Sequence, residues 1–296
     1  MVFRYNKKYP GLCGPPEPRR FIMPRIDYHV HTAFSPDCDT PMAAQVARAA
    51  ELGLDELCFT DHLELGLKQW IGHETDFEAC RRACEELRRS PGAPVLRFGA
   101  EAGISCTPEE FERLTAILRG SRFDFVIASA HVVGDTNPME PDFFEGRSFP
   151  EACRAYLAAL LEGLRKLDPA LYSCVGHVDF PVKGRLRQGE PQAALLWEYA
   201  PDELDEIFRL AIGEGKCVEI NTSPFPLLGG RRPELGWLRR YAELGGEYVT
   251  IGSDSHRTEL LSCGFELAVE LAREAGIRYI AVYEDMRPSM LPIESF

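Results

Sequence analysis

Short apolar runs alternate along the chain with longer segments of mixed apolar and polar character. Strand-like runs fall at 26–31, 55–60, 95–101, 125–131, 173–177, 217–221 and 248–252, with a last short one at 279–282. Helical stretches lie between them. The first follows a turn where Thr40 is placed to cap and Pro41 to occupy the first helical turn. Others are expected at 76–89, 149–166, 202–214, 233–244 and 259–275. A further one opens with Thr107-Pro108-Glu109-Glu110, a capping box with Thr107 at the N-cap and Glu110 three residues on. Residues 132–148 and 179–191 read as loops. Residues 1–24, with Pro10, Pro15, Pro16, Pro18 and Pro24, read as an irregular arm ahead of one domain over 25–296. Regular alternation predicts a parallel sheet flanked by helices, and seven or so units point to an α/β barrel rather than an open sheet.

Composition narrows this picture. A 45% hydrophobic and 27% charged chain is ordinary for a globular protein. No apolar run reaches the roughly eighteen residues of a membrane span, and the first twenty residues hold no apolar secretory core. The expectation is a cytoplasmic protein without a membrane partner. The net charge of −13 disfavours a nucleic-acid-coating surface. It does not exclude an anionic substrate, since several cations in one pocket reverse the local field. Ten scattered cysteines without a CxxC read as reduced thiols rather than a disulfide framework. The first strand is followed by neither GxGxxG nor GxxxxGK[ST], which argues against the common nucleotide-binding sheets.

The histidines carry the chemistry. Of seven, six fall at or just past the ends of predicted strands: His29, His31, His62, His131, His177 and His256. Only His73 lies elsewhere. In α/β barrels that end of the strands bears the active site. His29-Val30-His31 puts two imidazoles on one face of a strand, a spacing suited to one metal ion. Asp254-Ser255-His256 repeats it with a carboxylate. Each pair alone is as well explained by packing, and Asp61 alone by helix capping. Their recurrence at strand ends is not so explained. With Asp37 and Glu101, the set His29, His31, Asp37, His62, Glu101, His131, His177, Asp254 and His256 offers nine potential ligands. A single catalytic zinc takes about three, so nine suit two or three divalent ions, with Zn, Mn or Fe all compatible with His, Asp and Glu ligands.

In order, His29-Val30-His31, Thr60-Asp61-His62, Gly99-Ala100-Glu101, Ser129-Ala130-His131, Gly176-His177 and Ser253-Asp254-Ser255-His256 resemble the polymerase and histidinol phosphatase (PHP) superfamily over residues 26–283. Asp27-Tyr28-His29-Val30-His31-Thr32, Gly176-His177-Val178-Asp179-Phe180-Pro181 and Glu219-Ile220-Asn221-Thr222-Ser223 are similar to its histidinol-phosphatase branch. The resemblance implies a distorted (β/α)7 TIM-like barrel and a trinuclear site. It implies one ion on His29, His31, Glu101 and Asp254, and a second on Glu101, His131 and His177. Asp37, His62 and His256 would hold the third. Asp179 is a candidate for orienting an imidazole or for capping the loop after it.

The reaction implied is hydrolysis of a small phosphate monoester, L-histidinol phosphate first, by in-line attack of a hydroxide held between metals. His29, His31, Glu101, His131, Asp254 and His256 are the candidate catalytic set. Lys183, Arg185, Arg232 and Arg257 are candidates for binding the phosphate, with Arg187 in the same loop as the first two. One departure stands out: the branch continues Asn-Thr-Ser with Gly-Leu-Arg, whereas this chain has Pro224-Phe225-Pro226. The alternatives are a PHP phosphoesterase for nucleotide phosphates or short oligonucleotides, a metal-binding regulatory barrel without activity, and an amidohydrolase-type enzyme.

Overall fold

The computed structural model describes residues 24–190, 196–233 and 236–296. Apart from Pro24, the expected N-terminal arm lies outside the described residues. Strands β1 (Ile26–Val30), β2 (Glu56–Phe59), β3 (His62–Leu63), β4 (Val95–Gly103), β5 (Phe125–Ser129), β6 (Cys174–Val175), β7 (Cys217–Asn221), β8 (Tyr248–Gly252), β9 (Tyr279–Glu284) and β10 (Arg287–Pro292) form one sheet. They pair in the order β1-β2-β4-β5-β6-β7-β8-β9-β10, with β3 beside β4. Every pairing is parallel except β9 with β10. A further parallel bridge, Val30 to Ser255, joins the end of β1 to the segment after β8.

The connecting helices are α1 (Met42–Leu52), α2 (Phe77–Leu87), α3 (Pro108–Gly120), α4 (Phe149–Lys166), α5 (Phe180–Arg187), α6 (Leu196–Tyr199), α7 (Pro201–Gly213), α8 (Gly236–Glu243) and α9 (Phe265–Ala275). Helices cover the sheet, so strands β5 and β7 are buried along their whole length; β5 reads as a nearly unbroken apolar run, while β7 also buries Glu219 and Asn221. The capping box of α3 forms as expected: Glu110 N–H donates to Thr107 Oγ1, and Thr107 N–H donates to Glu110 Oε2. Ser148 and Glu151 build a second one on α4. Among the described residues, no helix is long and apolar enough to cross a membrane. Among the described residues, Cys38, Cys58, Cys80, Cys84, Cys106, Cys153, Cys174 and Cys217 are free thiols, all but Cys106 buried.

Four expectations need correction. Thr40 does not cap α1; its hydroxyl donates to the His256 carbonyl at 2.8 Å instead. The loop expected at 179–191 contains helix α5, with Pro181 in its first turn where a missing N–H costs nothing. The helix expected over 259–275 is broken: a short 3-10 turn at Thr258–Leu260 precedes α9. Finally, β9 turns back into β10 through Asp285 and Met286, both with positive φ.

Candidate metal centre

The strands deliver their ligands to one end of the sheet. β1 carries His29, and His31 follows it. The register of β3 on β4 sets His62 opposite Glu101. His131 lies past β5 and His177 past β6, while Asp254 and His256 follow β8. Glu101 does not end its strand as expected; β4 runs on to Gly103, which places the carboxylate in the middle of the cluster. All nine expected ligands come together there.

Glu101 is the hub. Its Oε1 lies 2.6 Å from His177 Nε2 and 3.1 Å from His131 Nε2. Its Oε2 lies 3.0 Å from His62 Nδ1, 3.3 Å from His29 Nε2 and 3.5 Å from His31 Nε2. Burial opposes the charge on Glu101, but His131, His29 and His62 pull its pKa well below the ordinary carboxylate range. Asp254 Oδ1 stands 3.4 Å from His31 and 3.9 Å from His29. Its Oδ2 meets the Lys183 ammonium and the Ser223 hydroxyl. Asp254 holds φ at 52°, in the left-handed region, a conformation Asp tolerates better than most residues. At the rim, Asp37 lies 3.1 Å from His256 and 3.5 Å from His62.

This donor set fits divalent cations. The Nε2 atoms of His29 and His31 are 3.1 Å apart, and those of His131 and His177 are 3.3 Å apart. Two ligands about 2.0–2.1 Å from a tetrahedral zinc stand roughly 3.3 Å from each other. The triads His29–His31–Asp254, His62–Glu101–His131 and His31–His62–His256 each bring one donor atom per residue to within 4.8 Å of the others. His62 Nδ1 is buried without a well-aligned hydrogen bond, although it is close to Glu101, as a lone pair reserved for a cation would be.

A second layer, not singled out in the sequence as holding the site, braces these rings. Glu219 Oε1 is 2.6 Å from His29 Nδ1, Glu64 Oε2 is 2.8 Å from His131 Nδ1, and Ser35 Oγ is 3.1 Å from His31 Nδ1. Asp61 caps no helix; it accepts from Thr32 N–H, Thr32 Oγ1 and Ser35 Oγ, so it fixes the chain just after the HxH pair. Asp179 begins α5 without capping it, and burial raises its carboxyl to about 6. The visible signal for Glu64 and Glu219 is charge in apolar company: each sits among residues that are buried on both sides in sequence.

A cavity of about 570 Å³ opens onto the cluster, a size suited to a small ligand. Lys183, Arg187 and Arg257 line it, with Leu67, Trp70, Met139 and Phe180 as apolar walls. Pro226 lines it as well. Of the expected phosphate binders, Arg185 and Arg232 do not reach it. Arg185 pairs with Glu190 and lies over Phe144; Arg232 pairs with Glu270 and Glu274. His73 stays on the exposed surface.

Residues 27–223 match the PHP domain family. A histidinol-phosphatase of Lactococcus lactis subsp. lactis is 28% identical over 271 residues, which is 90% of this chain and 96% of that one. A probable histidinol-phosphatase of Thermotoga maritima is 24% identical, covering 87% of this chain and 95% of its own. Among solved structures, the histidinol phosphate phosphatase of Lactococcus lactis, crystallised with zinc, L-histidinol and phosphate, superposes with a TM-score of 0.71. It is 24% identical and covers 90% of this chain and 98% of its own. A second structure, from Listeria monocytogenes, gives 0.67 at 21% identity, over 82% and 99% of the two chains. These likenesses show a shared mixed α/β fold with a mainly parallel sheet. With the family match extending over well more than half of its length and the ligand set assembled at one end of that sheet, the chain belongs to the PHP domain family.

Proposed function

We propose that this protein is a metal-dependent phosphomonoesterase that hydrolyses L-histidinol phosphate to L-histidinol and inorganic phosphate. One observation carries the reading: the buried Glu101 carboxylate stands within 3.5 Å of five imidazoles at the floor of a ligand-sized cavity. Relatives that match along almost their full length and carry the histidinol-phosphatase name support the substrate. We further read the fold as a distorted (β/α)7 barrel, closed where His31 N–H donates to the Ser255 carbonyl at 2.9 Å.

The residues that would hold the ions are His29, His31, Glu101 and Asp254 for one, Glu101, His131 and His177 for a second, and Asp37, His62 and His256 for a third. Zinc is the first choice, with manganese and iron to be compared. When bound, such ions supply a water acidic enough to ionise near neutral pH and offset the phosphoryl charge. The chain's own groups do the rest. Lys183, 6% exposed at the cavity wall, neutralises Asp254 and keeps an ammonium within reach of a phosphoryl oxygen. Arg187 and Arg257 add positive charge along the same wall, where an anionic ester must enter a protein of net charge −13. Trp70, packed 4.8 Å from the His62 ring, and Leu67 form a dry wall for the leaving alcohol.

The test is phosphate release after loading with zinc, manganese or iron. L-histidinol phosphate should be turned over far faster than a 3′,5′-bisphosphonucleotide. Faster release from the nucleotide would overturn the substrate assignment, and inertness towards every phosphoester would overturn the enzymatic one.

A further inference from the structure

Two buried carboxylates lie behind the cluster and point away from the cavity. Glu219, on β7, sends Oε1 to His29 Nδ1 at 2.6 Å and Oε2 to the backbone N–H of His177 at 3.0 Å. Glu64, just past β3, sends Oε2 to His131 Nδ1 at 2.8 Å and Oε1 to the backbone N–H of Gly66 at 2.9 Å. Each has donors on both oxygens, an arrangement that a carboxylate satisfies and an amide cannot. The backbone around them leaves just this room. A Cβ at Gly103 would stand 1.9 Å from Glu64 Oε2, and one at Gly252 would stand 2.6 Å from Glu219 Oε1.

We infer that Glu64 and Glu219 are positioning residues, each orienting the ring of a ligand to a different ion of the cluster. An imidazole whose Nδ1–H is held by a carboxylate has its tautomer fixed, its ring angle set and its Nε2 lone pair made more basic. Glu219 does this for His29, assigned above to the ion with His31, Glu101 and Asp254; Glu64 does it for His131, assigned to the ion with Glu101 and His177. Glu64 has a second task, because Gly66 leads directly into Leu67, Gln69 and Trp70 of the cavity wall. The inference rests on the metal reading proposed above.

The experiment measures zinc affinity, ion by ion, by competition with a chromophoric chelator. Wild type is compared with Glu219→Gln, Glu64→Gln and Gly103→Ala. The last variant keeps every side chain of the cluster and only pushes the tip of Glu64 aside, so it guards against a misfolded Glu64→Gln. Loss of an outer partner typically costs about 10- to 100-fold in metal affinity. We expect that loss for one ion in Glu219→Gln and for a different ion in both Glu64→Gln and Gly103→Ala. Melting of the metal-free forms should fall by a few degrees, since a buried donor loses its partner, and beyond that the rise in melting temperature on adding zinc shrinks. Wild-type affinities and an undiminished zinc-induced rise in all three variants would overturn the inference alone. A wild type that binds no zinc would overturn the metal reading and the inference together.

Discussion

The inner and outer parts of the cluster are built differently. His29, His131 and His177 lie at most 4% exposed around Glu101, and the first two are braced from behind by carboxylates. At the outer edge, Asp37 and His256 have side chains 34% and 27% exposed. His256 is steadied by its own loop, through the Asp254 carbonyl 3.0 Å from Nδ1, and its ring stacks on His31. The inner ligands sit in or beside strands; the outer ones sit on loops. Under the proposed metal reading, the cluster would hold its ions with unequal tenacity, the more exchangeable one nearest the solvent.

Four measurements would break or sharpen this contrast. Glu101→Gln should have the largest effect, because its carboxylate stands within 3.5 Å of His29 and His31 as well as of His62, His131 and His177. Phosphate release should fall by more than the roughly 100-fold typical of losing an outer partner, with circular dichroism unchanged; residual activity within tenfold of wild type would remove Glu101 from its central place. Lys183→Met should lower kcat/KM by about 10- to 100-fold, in line with one charged hydrogen bond of about 1.5–3 kcal/mol. A loss confined to stability, with kcat/KM intact, would make Lys183 only a counter-ion of Asp254. Asp37→Asn should cost about tenfold, near 1.4 kcal/mol of barrier, and excess zinc should restore part of it. A loss as deep as that of Glu101→Gln would erase the distinction between inner and outer sites.

The smallest effect is one of pH on the metal-free protein. Burial disfavours the charged form of His131, yet Glu101 and then Glu64 outweigh it and raise its pKa to about 9, against about 6.5 in an unfolded chain. A folded value above the unfolded one gives stability that is present below about pH 6.5 and lost as pH rises through 9. The metal-free melting temperature should therefore fall between pH 7 and pH 9. The zinc-loaded protein should not follow it, since its imidazoles are already neutral ligands. Parallel curves for the two forms would speak against His131 as a ligand.

Much of this was legible in the chain itself. β7 and β8 coincide with the strand-like runs at 217–221 and 248–252, because strands buried on both faces leave mainly apolar segments between polar turns, here interrupted by Glu219, Asn221 and Thr250. The nine candidate ligands were visible for the complementary reason: chemistry-bearing residues recur at or near where those runs end. Other features leave weaker traces. Helix α5 is only eight residues long and contains Pro181 and Gly184, so it resembles a loop. A Cβ at position 184 would lie 2.5 Å from the Pro138 carbonyl, which explains a glycine inside a helix. The β9–β10 hairpin turns on Asp285 and Met286 at positive φ, where Asn-Gly or Asp-Gly would have signalled the turn. Arg185 and Arg232 show the opposite limit: charge near a motif says nothing of direction, and Glu190 just past α5 claims the first while Glu270 and Glu274 of α9 claim the second. Glu64 and Glu219 act through the rings they hold, a contact that depends on residues 67 and 190 positions away.

The bridge between Val30 and Ser255 has a consequence for the birth of the molecule. Asp27 accepts hydrogen bonds from Ser253, 226 residues later in the chain, and holds the two segments together. A growing polypeptide that has emerged only through β7 already owns seven of the nine ligands, but neither Asp254 nor His256. The triad built on His29, His31 and Asp254 cannot exist until both segments meet, and contacts of such long range are among the last and slowest to form. Under the proposed metal reading, full metal capture would thus report that folding has reached completion.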